Sequence, residues 1–358
     1  MPGMAVVYSS DCPAGLKRAA ADGTYVYQCS GTSDQTVINA AISAVAATGQ
    51  TSSSKPSGGG GSVLLVGYNF NLTAPIQLQS WVDLGGAFGR AGCQVNASPG
   101  FSGMALIVTG QTYTEMTTVH DLMLNGSGSG TEHGIYCNGQ VTQTPFTYSD
   151  PVHKIRDLVI MNSGGAGLYF DTAVRVTHVS GLRIGKAGTY GIYGGGLVDS
   201  YLSDVQILGS GSDGVYAAGG DTTYNNVRSD NSHANGFNIQ STRTAFVNCQ
   251  AEDSTQHNFS IQSGKVLLAG CVSDSAGLGS GSPTYDGFNI ATGLTDISMT
   301  GCQSYDRNGS PHQRYGVFIG TTGPTQSRVQ CNTYGNATGS FGGNTTPGTG
   351  SVYDVYGT

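Results

Sequence analysis

Asp157-Leu158-Val159-Ile160 and Gly167-Leu168-Tyr169-Phe170 are two short signatures that the chain repeats, in alternation, as far as residue 319. The first returns as Gly181-Leu182-Arg183-Ile184, Asp204-Val205-Gln206-Ile207, Asn226-Val227-Arg228, Asn248-Cys249-Gln250-Ala251, Gly270-Cys271-Val272 and Gly301-Cys302-Gln303. The second returns as Gly191-Ile192-Tyr193, Gly214-Val215-Tyr216, Gly236-Phe237-Asn238-Ile239, Asn258-Phe259-Ser260-Ile261, Gly287-Phe288-Asn289-Ile290 and Gly316-Val317-Phe318-Ile319. From Leu158 the first column steps by 24, 23, 22, 22, 22 and 31 residues, and in the first five units the two signatures stand 9 residues apart. A period in the low twenties, made of short apolar pieces between Gly, Ser, Asn and Asp, is the mark of a solenoid. A unit this small cannot bury its own apolar face, so the units must stack. Alternation then assigns the faces: Phe237 and Ile239 point inward and the residue between them outward. The expected fold is all-β, a right-handed parallel β-helix. No unit holds a helical run or a leucine-rich consensus.

Composition agrees with that expectation. Gly accounts for 57 of 358 residues and charged residues for only 10%, which suits many tight turns and few helices. A length that would often split into two domains is no obstacle to a solenoid, which grows by adding rungs. A net charge of −7 argues against a nucleic-acid-binding surface. No apolar run reaches the 18 residues of a membrane span, so no membrane insertion is expected. The first ten residues lack a basic start and an apolar core, so no signal peptide is expected.

Along the chain, residues 1–32 read as a weakly patterned lead-in with Cys12 and Cys29. Residues 33–49 read as an amphipathic helix, with Ser33 or Asp34 as its cap, Ile38, Ala41, Ile42 and Val45 on one face, and Gly49 at its end. This helix would close the N-terminal end of the solenoid, and the Ser/Gly tract up to residue 62 would follow it as a loop. The β-helix proper is expected over 63–335, and 336–358 as a C-terminal cap or a partner-contacting tail. Two neighbouring units expand the same turn: the signatures lie 16 residues apart between Cys271 and Gly287, and 14 apart between Cys302 and Gly316. These loops would wall a groove. Another excursion is expected over 140–150.

The opening carries a resemblance. It has a helix with Asp34-Gln35 and Ile38-Asn39-Ala40-Ala41-Ile42, and a Gly-rich turn. A strand ending in Gly67-Tyr68-Asn69-Phe70-Asn71-Leu72 follows, and then Leu84-Gly85-Gly86. Together these resemble the start of the pectate-lyase-like β-helix superfamily, in the form found in bacteriophage tail spikes and minor tail proteins. The lead-in, Asp11-Cys12-Pro13-Ala14 and Tyr27-Gln28-Cys29-Ser30, resembles such proteins from phages of actinobacteria. The resemblance covers residues 10–90 and implies a homotrimer in a virion tail. It also implies contacts with other phage tail proteins and action on a polysaccharide at the host surface. That superfamily holds lyases, hydrolases, epimerases and non-enzymatic adhesins, so the chemistry has to be read from the site.

Two outward columns are candidates for it. Tyr136, Tyr169, Tyr193 and Tyr216 occupy the outward place of the second signature, about 5 Å apart. They are expected to be a platform for sugar rings, or else a subunit contact. In the first signature Asp230, Glu252 and Asp274 share one register position, so neighbouring carboxylates would fall near the roughly 5–5.5 Å of a retaining glycosidase pair. Like charges that close raise one pKa and make a general acid. Arg228 and Asp306 are expected to bind substrate beside them, with Asp253, His233 and His257 nearby. The bland alternative is a solvated ladder of turn acids. No cofactor is required, although the same acids would suit Ca²⁺. The lyases of the resembled superfamily use Ca²⁺-binding acids with a basic residue, for which Arg228 is the one candidate. Four cysteines, Cys249, Cys271, Cys302 and Cys331, fall in the inward column as small core hydrophobes, and Cys12–Cys29 is the expected bridge. The leading expectation is a tailspike-like protein that binds, and in the enzyme case depolymerises, a bacterial surface polysaccharide. The alternatives are a free glycoside hydrolase or polysaccharide lyase, and a structural β-helix.

Overall fold

Left-handed backbone sets the period. Asp204, Asn226, Asn248, Gly270 and Gly301, the residues that open the first signature, all have φ between 52° and 64°. Side chains with a Cβ avoid that region, and Asn, Asp and Gly tolerate it best. Each of these residues bends the chain between two extended segments. Tyr201–Ser210, Thr223–Ser232 and Ile297–Tyr305 are single long strands with such a bend inside them, while Thr244–Val247 and Gln250–Glu252 are split by it. Two further left-handed columns go unmarked in the signatures: Asp199, Asp221, Arg243, Lys265, Asp296 and Gln326, and then Asn231, Asp253 and Ser275. The repeat therefore has three corners.

The computed structural model describes residues 3–17, 24–47, 60–109, 116–128, 130–138, 153–172, 174–279 and 282–357. The expected excursion at 140–150 and the tract 51–59 lie outside them. The fold is a right-handed parallel β-helix, and the chain divides into two compact units, Met1–Gly188 and Thr189–Thr358.

In the first unit one sheet runs from Gly3–Tyr8 through Gly61–Val66, Val82–Gly86, Thr117–His120 and His153–Arg156 to Thr177–Ala187. The opposite short strands, Ile76–Leu78, Ala105–Thr109, His133–Cys137 and Leu168–Phe170, pair in parallel order. Residues of the expected lead-in are thus strands: Gly3–Tyr8 lies between Thr24–Gln28 and Gly61–Val66 in register. The helix Gln35–Ala47 buries Ile38, Ala41, Ile42 and Val45 completely against Gly3–Tyr8, Gly61–Val66 and Ile76–Leu78. Asp34 does not cap this helix with its side chain. Its buried carboxylate accepts the N–H of Gly31 (2.9 Å) and of Asn71 (2.8 Å) and so ties the helix start to the strand Asn69–Leu72. Asn39 closes the edge of Ile76–Leu78, accepting from Gln77 N and donating to Pro75 O.

In the second unit the short strands run Ile192–Gly194, Val215–Ala217, Phe237–Ile239, Phe259–Ile261, Phe288–Ile290, Tyr315–Ile319 and Gly339–Gly343. The last of these, with Val352–Gly357 on the long sheet, extends the strand order into the expected tail. The core is built of like on like. Phe237, Phe259 and Phe288 stack at 4.8 and 4.7 Å, and Tyr224 on Phe246 at 4.8 Å. Cys249, Cys271, Cys302 and Cys331 fill the inward column as expected, all fully buried. The Cys12–Cys29 bridge is not formed. Cys12 packs with Tyr8 and Val66, the sulfur of Cys29 faces the Asp34 carbonyl, and all eight thiols are free.

Candidate functional site

The acid ladder forms in the expected register. Asp230 pairs with Glu252 and Glu252 with Asp274 on three successive strands of the second unit, about 4.8 Å apart. The same position continues as Tyr305 and Tyr334, whose rings stack at 4.9 Å and 7°. Three carboxylates and two aromatic rings thus share one line along the sheet.

Two arginines organise the carboxylates. Arg228, two residues before Asp230 on the same strand, donates to Glu252 Oε2 at 2.7 Å and reaches Asp230 Oδ2 at 3.4 Å. Gln250 donates to the other oxygen of Glu252. Arg307, from the expanded loop after Tyr305, bridges Asp274 and Asp253. Side-chain exposure is 15% for Asp230, 11% for Glu252 and 6% for Asp274, against 41% and 45% for Arg228 and Arg307. Solvent therefore meets guanidinium groups with the acids beneath them.

The charges are unequal in consequence. Burial holds the Glu252 carboxyl above the ordinary glutamate range. Arg228 pulls it down, while the Asp230 and Asp274 carboxylates push it further up. Burial likewise raises Asp253, against the pull of Arg307. Tyr305 is raised by burial and by the Asp274 charge. Glu252 thus lies between two flanking acids with its pKa raised above the ordinary glutamate range. Among the described residues no group of three or more His, Cys, Asp or Glu is placed to hold a metal ion. The carboxylates that Ca²⁺ would need are engaged by the guanidinium groups of Arg228 and Arg307.

Other expected site residues lie elsewhere in function or place. Asp306, expected at the substrate, sits inside the loop instead of on its surface. It is buried, and its carboxylate accepts the N–H groups of Asn308, His312 and Gln313 and the hydroxyl of Ser275, which folds the loop that carries Arg307. His257 accepts the N–H of Asp286 at its Nδ1, and burial lowers its pKa. Asp286 itself is held by both arms of Arg314. Tyr136 and Tyr169 stack in the first unit at 5.4 Å and 13°, and Tyr193 and Tyr216 in the second at 5.1 Å and 5°. Rings stacked on one another along the rungs present edges outward, so they do not form the flat platform that alternation alone suggests. In the second unit the column changes character after Tyr216, continuing as Asn238, Ser260, Asn289 and Phe318.

Arg307 and Tyr334 escaped the sequence reading. Arg307 stands in an insertion, where register gives no direction. Tyr334 stands past the last clear signature, although its place after Tyr305 is countable from Cys302 and Cys331.

No protein-family model matches the chain, and no curated protein matches it. Solved structures do. The A-module of the Azotobacter vinelandii mannuronan C-5 epimerase AlgE4 superposes with a TM-score of 0.61 at 16% identity, over 91% of this chain and 95% of that one. DFA-IIIase from Arthrobacter chlorophenolicus A6, in its complex with GF2, gives 0.61 at 10%, over 93% and 89%. An alginate lyase from Paenibacillus sp. gives 0.52 at 13%, over 89% and 98%. At such identities the likeness is one of fold, and the fold is the right-handed parallel β-helix.

Proposed function

We propose that this protein binds a polysaccharide along the line Asp230–Glu252–Asp274–Tyr305–Tyr334 and hydrolyses it there. The observation that carries the proposal is the in-register acid ladder, with a buried glutamate at its centre whose pKa is raised above the ordinary glutamate range, continued by two stacked tyrosines. Glycoside hydrolysis needs one carboxylic acid to protonate the leaving oxygen and one carboxylate to act as nucleophile or base. Glu252 is the acid. Asp230 is the partner, because its carboxylate is the most open of the three. Arg228 and Arg307 meet the hydroxyl or acidic groups of the sugar. A lyase would need a neutral base, and a guanidinium stays protonated, so elimination by Arg228 is the weaker chemistry. Structural neighbours named as a mannuronan epimerase and an alginate lyase support a polysaccharide as the partner.

The resemblance of residues 10–90 to phage tail spikes extends the proposal to a setting: a homotrimeric spike in a virion tail, in contact with other tail proteins and acting at the host surface. Light scattering on the purified chain reads the trimer directly. The activity is tested on a panel of actinobacterial envelope polysaccharides, alginate and α-1,3-glucan, scored for new reducing ends and for unsaturated products. New reducing ends without unsaturation support hydrolysis, and unsaturated ends overturn it in favour of a lyase. Binding without either product leaves an adhesin and removes the enzyme.

A further inference from the structure

The stack of rings in the first unit stops short. His133 lies against Tyr169 at 4.4 Å, and Tyr169 against Tyr136 at 5.4 Å. On the strand before Tyr136 the register places Val108, and before that Gln77. Neither carries a ring, so among the described residues the face of Tyr136 turned away from Tyr169 has no aromatic neighbour on its rung side. A cavity of about 420 Å³ opens there, lined by Pro75, Gln77, Met104, Val108, Thr109 and Tyr136. That volume is within the roughly 300–1,000 Å³ of small-molecule sites. Tyr136 is fixed in place, since its hydroxyl donates to the Asp171 carboxylate. Met104 is an exposed large apolar side chain at the same opening, 45% accessible. Gln77 is exposed, and its backbone N–H donates to Asn39.

We infer that this pocket is a second, non-catalytic sugar site, in which one pyranose ring continues the interrupted stack on the face of Tyr136. The inference rests on the proposal that the chain binds a polysaccharide, but it uses no residue of the acid ladder. The axial C–H face of a pyranose packs on an aromatic ring as another ring would. Met104 and Pro75 cover its apolar edge, and the Gln77 amide offers both a donor and an acceptor to its hydroxyls. A rigid aromatic face costs little ordering entropy on binding.

The test uses the full chain and the same panel of actinobacterial envelope polysaccharides, alginate and α-1,3-glucan, immobilised for affinity measurement. Val108→Tyr extends the stack by one ring and plugs the pocket, Tyr136→Ala removes the face, and Tyr136→Phe keeps it. Val108→Tyr and Tyr136→Ala should weaken binding about 3–10-fold, and Tyr136→Phe should stay near wild type. Product formation from saturating short oligosaccharides should be unchanged in all three. If Val108→Tyr folds, as judged by its melting transition, and binds like wild type, the inference is overturned while the cleavage proposal stands. Loss of product with binding intact would instead fault the assignment of Tyr136 as remote from the chemistry. Wild type binding none of the panel overturns both. Should Tyr136→Ala fail to fold, Val108→Tyr alone decides.

Discussion

Glu252 is the residue whose environment asks most for an explanation. A buried carboxyl between two carboxylates is pushed to hold its proton, and Arg228 opposes this. If Glu252 donates that proton in the reaction, turnover falls as pH rises through its pKa. Arg228→Gln removes the opposing charge and should move that alkaline limb to higher pH. Asp230→Asn removes one of the carboxylates that raise it and should move the limb down, in addition to any loss of rate. A pH–rate profile of the three proteins checks both signs. His120 gives a second case, in the first unit. Its Nε2 lies 2.9 Å from Asp83 and its Nδ1 2.7 Å from Asp121. These partners, Asp83 first, raise its pKa above 6.5. Gly85, opposite it on the preceding strand, leaves the room that the imidazole occupies. A folded pKa above the unfolded one means that the stabilisation is fully present below about pH 6.5 and is lost as pH rises through the folded value. The gap in melting temperature between wild type and His120→Asn should therefore be widest on the acid side and shrink toward pH 8. A gap that grows with pH would contradict the pairing.

At the scale of the element, corners and ladders explain the repeat better than the apolar pattern does. Asn248 holds φ at 52°, where a residue with an ordinary side chain costs about 1–2 kcal/mol. Asn248→Ala should lower stability by about that amount and Asn248→Gly by much less, by denaturant melts of each. Equal losses would show that the corner owes its residue to side-chain contacts instead. A second ladder is made of amides. Asn162 donates to Asn125, Asn125 to Asn96, Asn96 to Asn69, and Asn69 to the Asp11 carboxylate. Asn69, Asn96 and Asn125 lie in strands, and Asn162 stands at a left-handed corner. Their mutual bonds depend on stacking, which the period predicts, and on side-chain direction at the strand ends, which it does not. The same limit applies to the acids. The register of Asp230, Glu252 and Asp274 was countable, because period-2 alternation fixes strand residues. The grip of Arg307 on Asp274 and Asp253 was not, because loop residues have no such rule. Asp306 belongs to the same case: in the loop its carboxylate serves backbone N–H groups, a use of Asp that proximity in sequence does not distinguish from a role at the surface.

At the scale of the whole molecule, the fold was legible and the activity was not. Two signatures with a common period leave few alternatives to a parallel β-helix. Strands with little alternation, Gly3–Tyr8 and Gly339–Gly343 among them, still join because parallel pairing to a formed neighbour supplies what their own composition lacks. The chemistry hangs on one line of outward residues in the second unit, and the account of function stands or falls with Glu252. The most direct measurement is turnover of the best-bound polysaccharide by Glu252→Gln beside wild type, with affinity read on the same preparations. Loss of the general acid should cut turnover by about 10²–10⁴-fold while affinity stays within a few-fold. Wild-type turnover in Glu252→Gln would contradict the assignment and move the reaction away from the acid ladder.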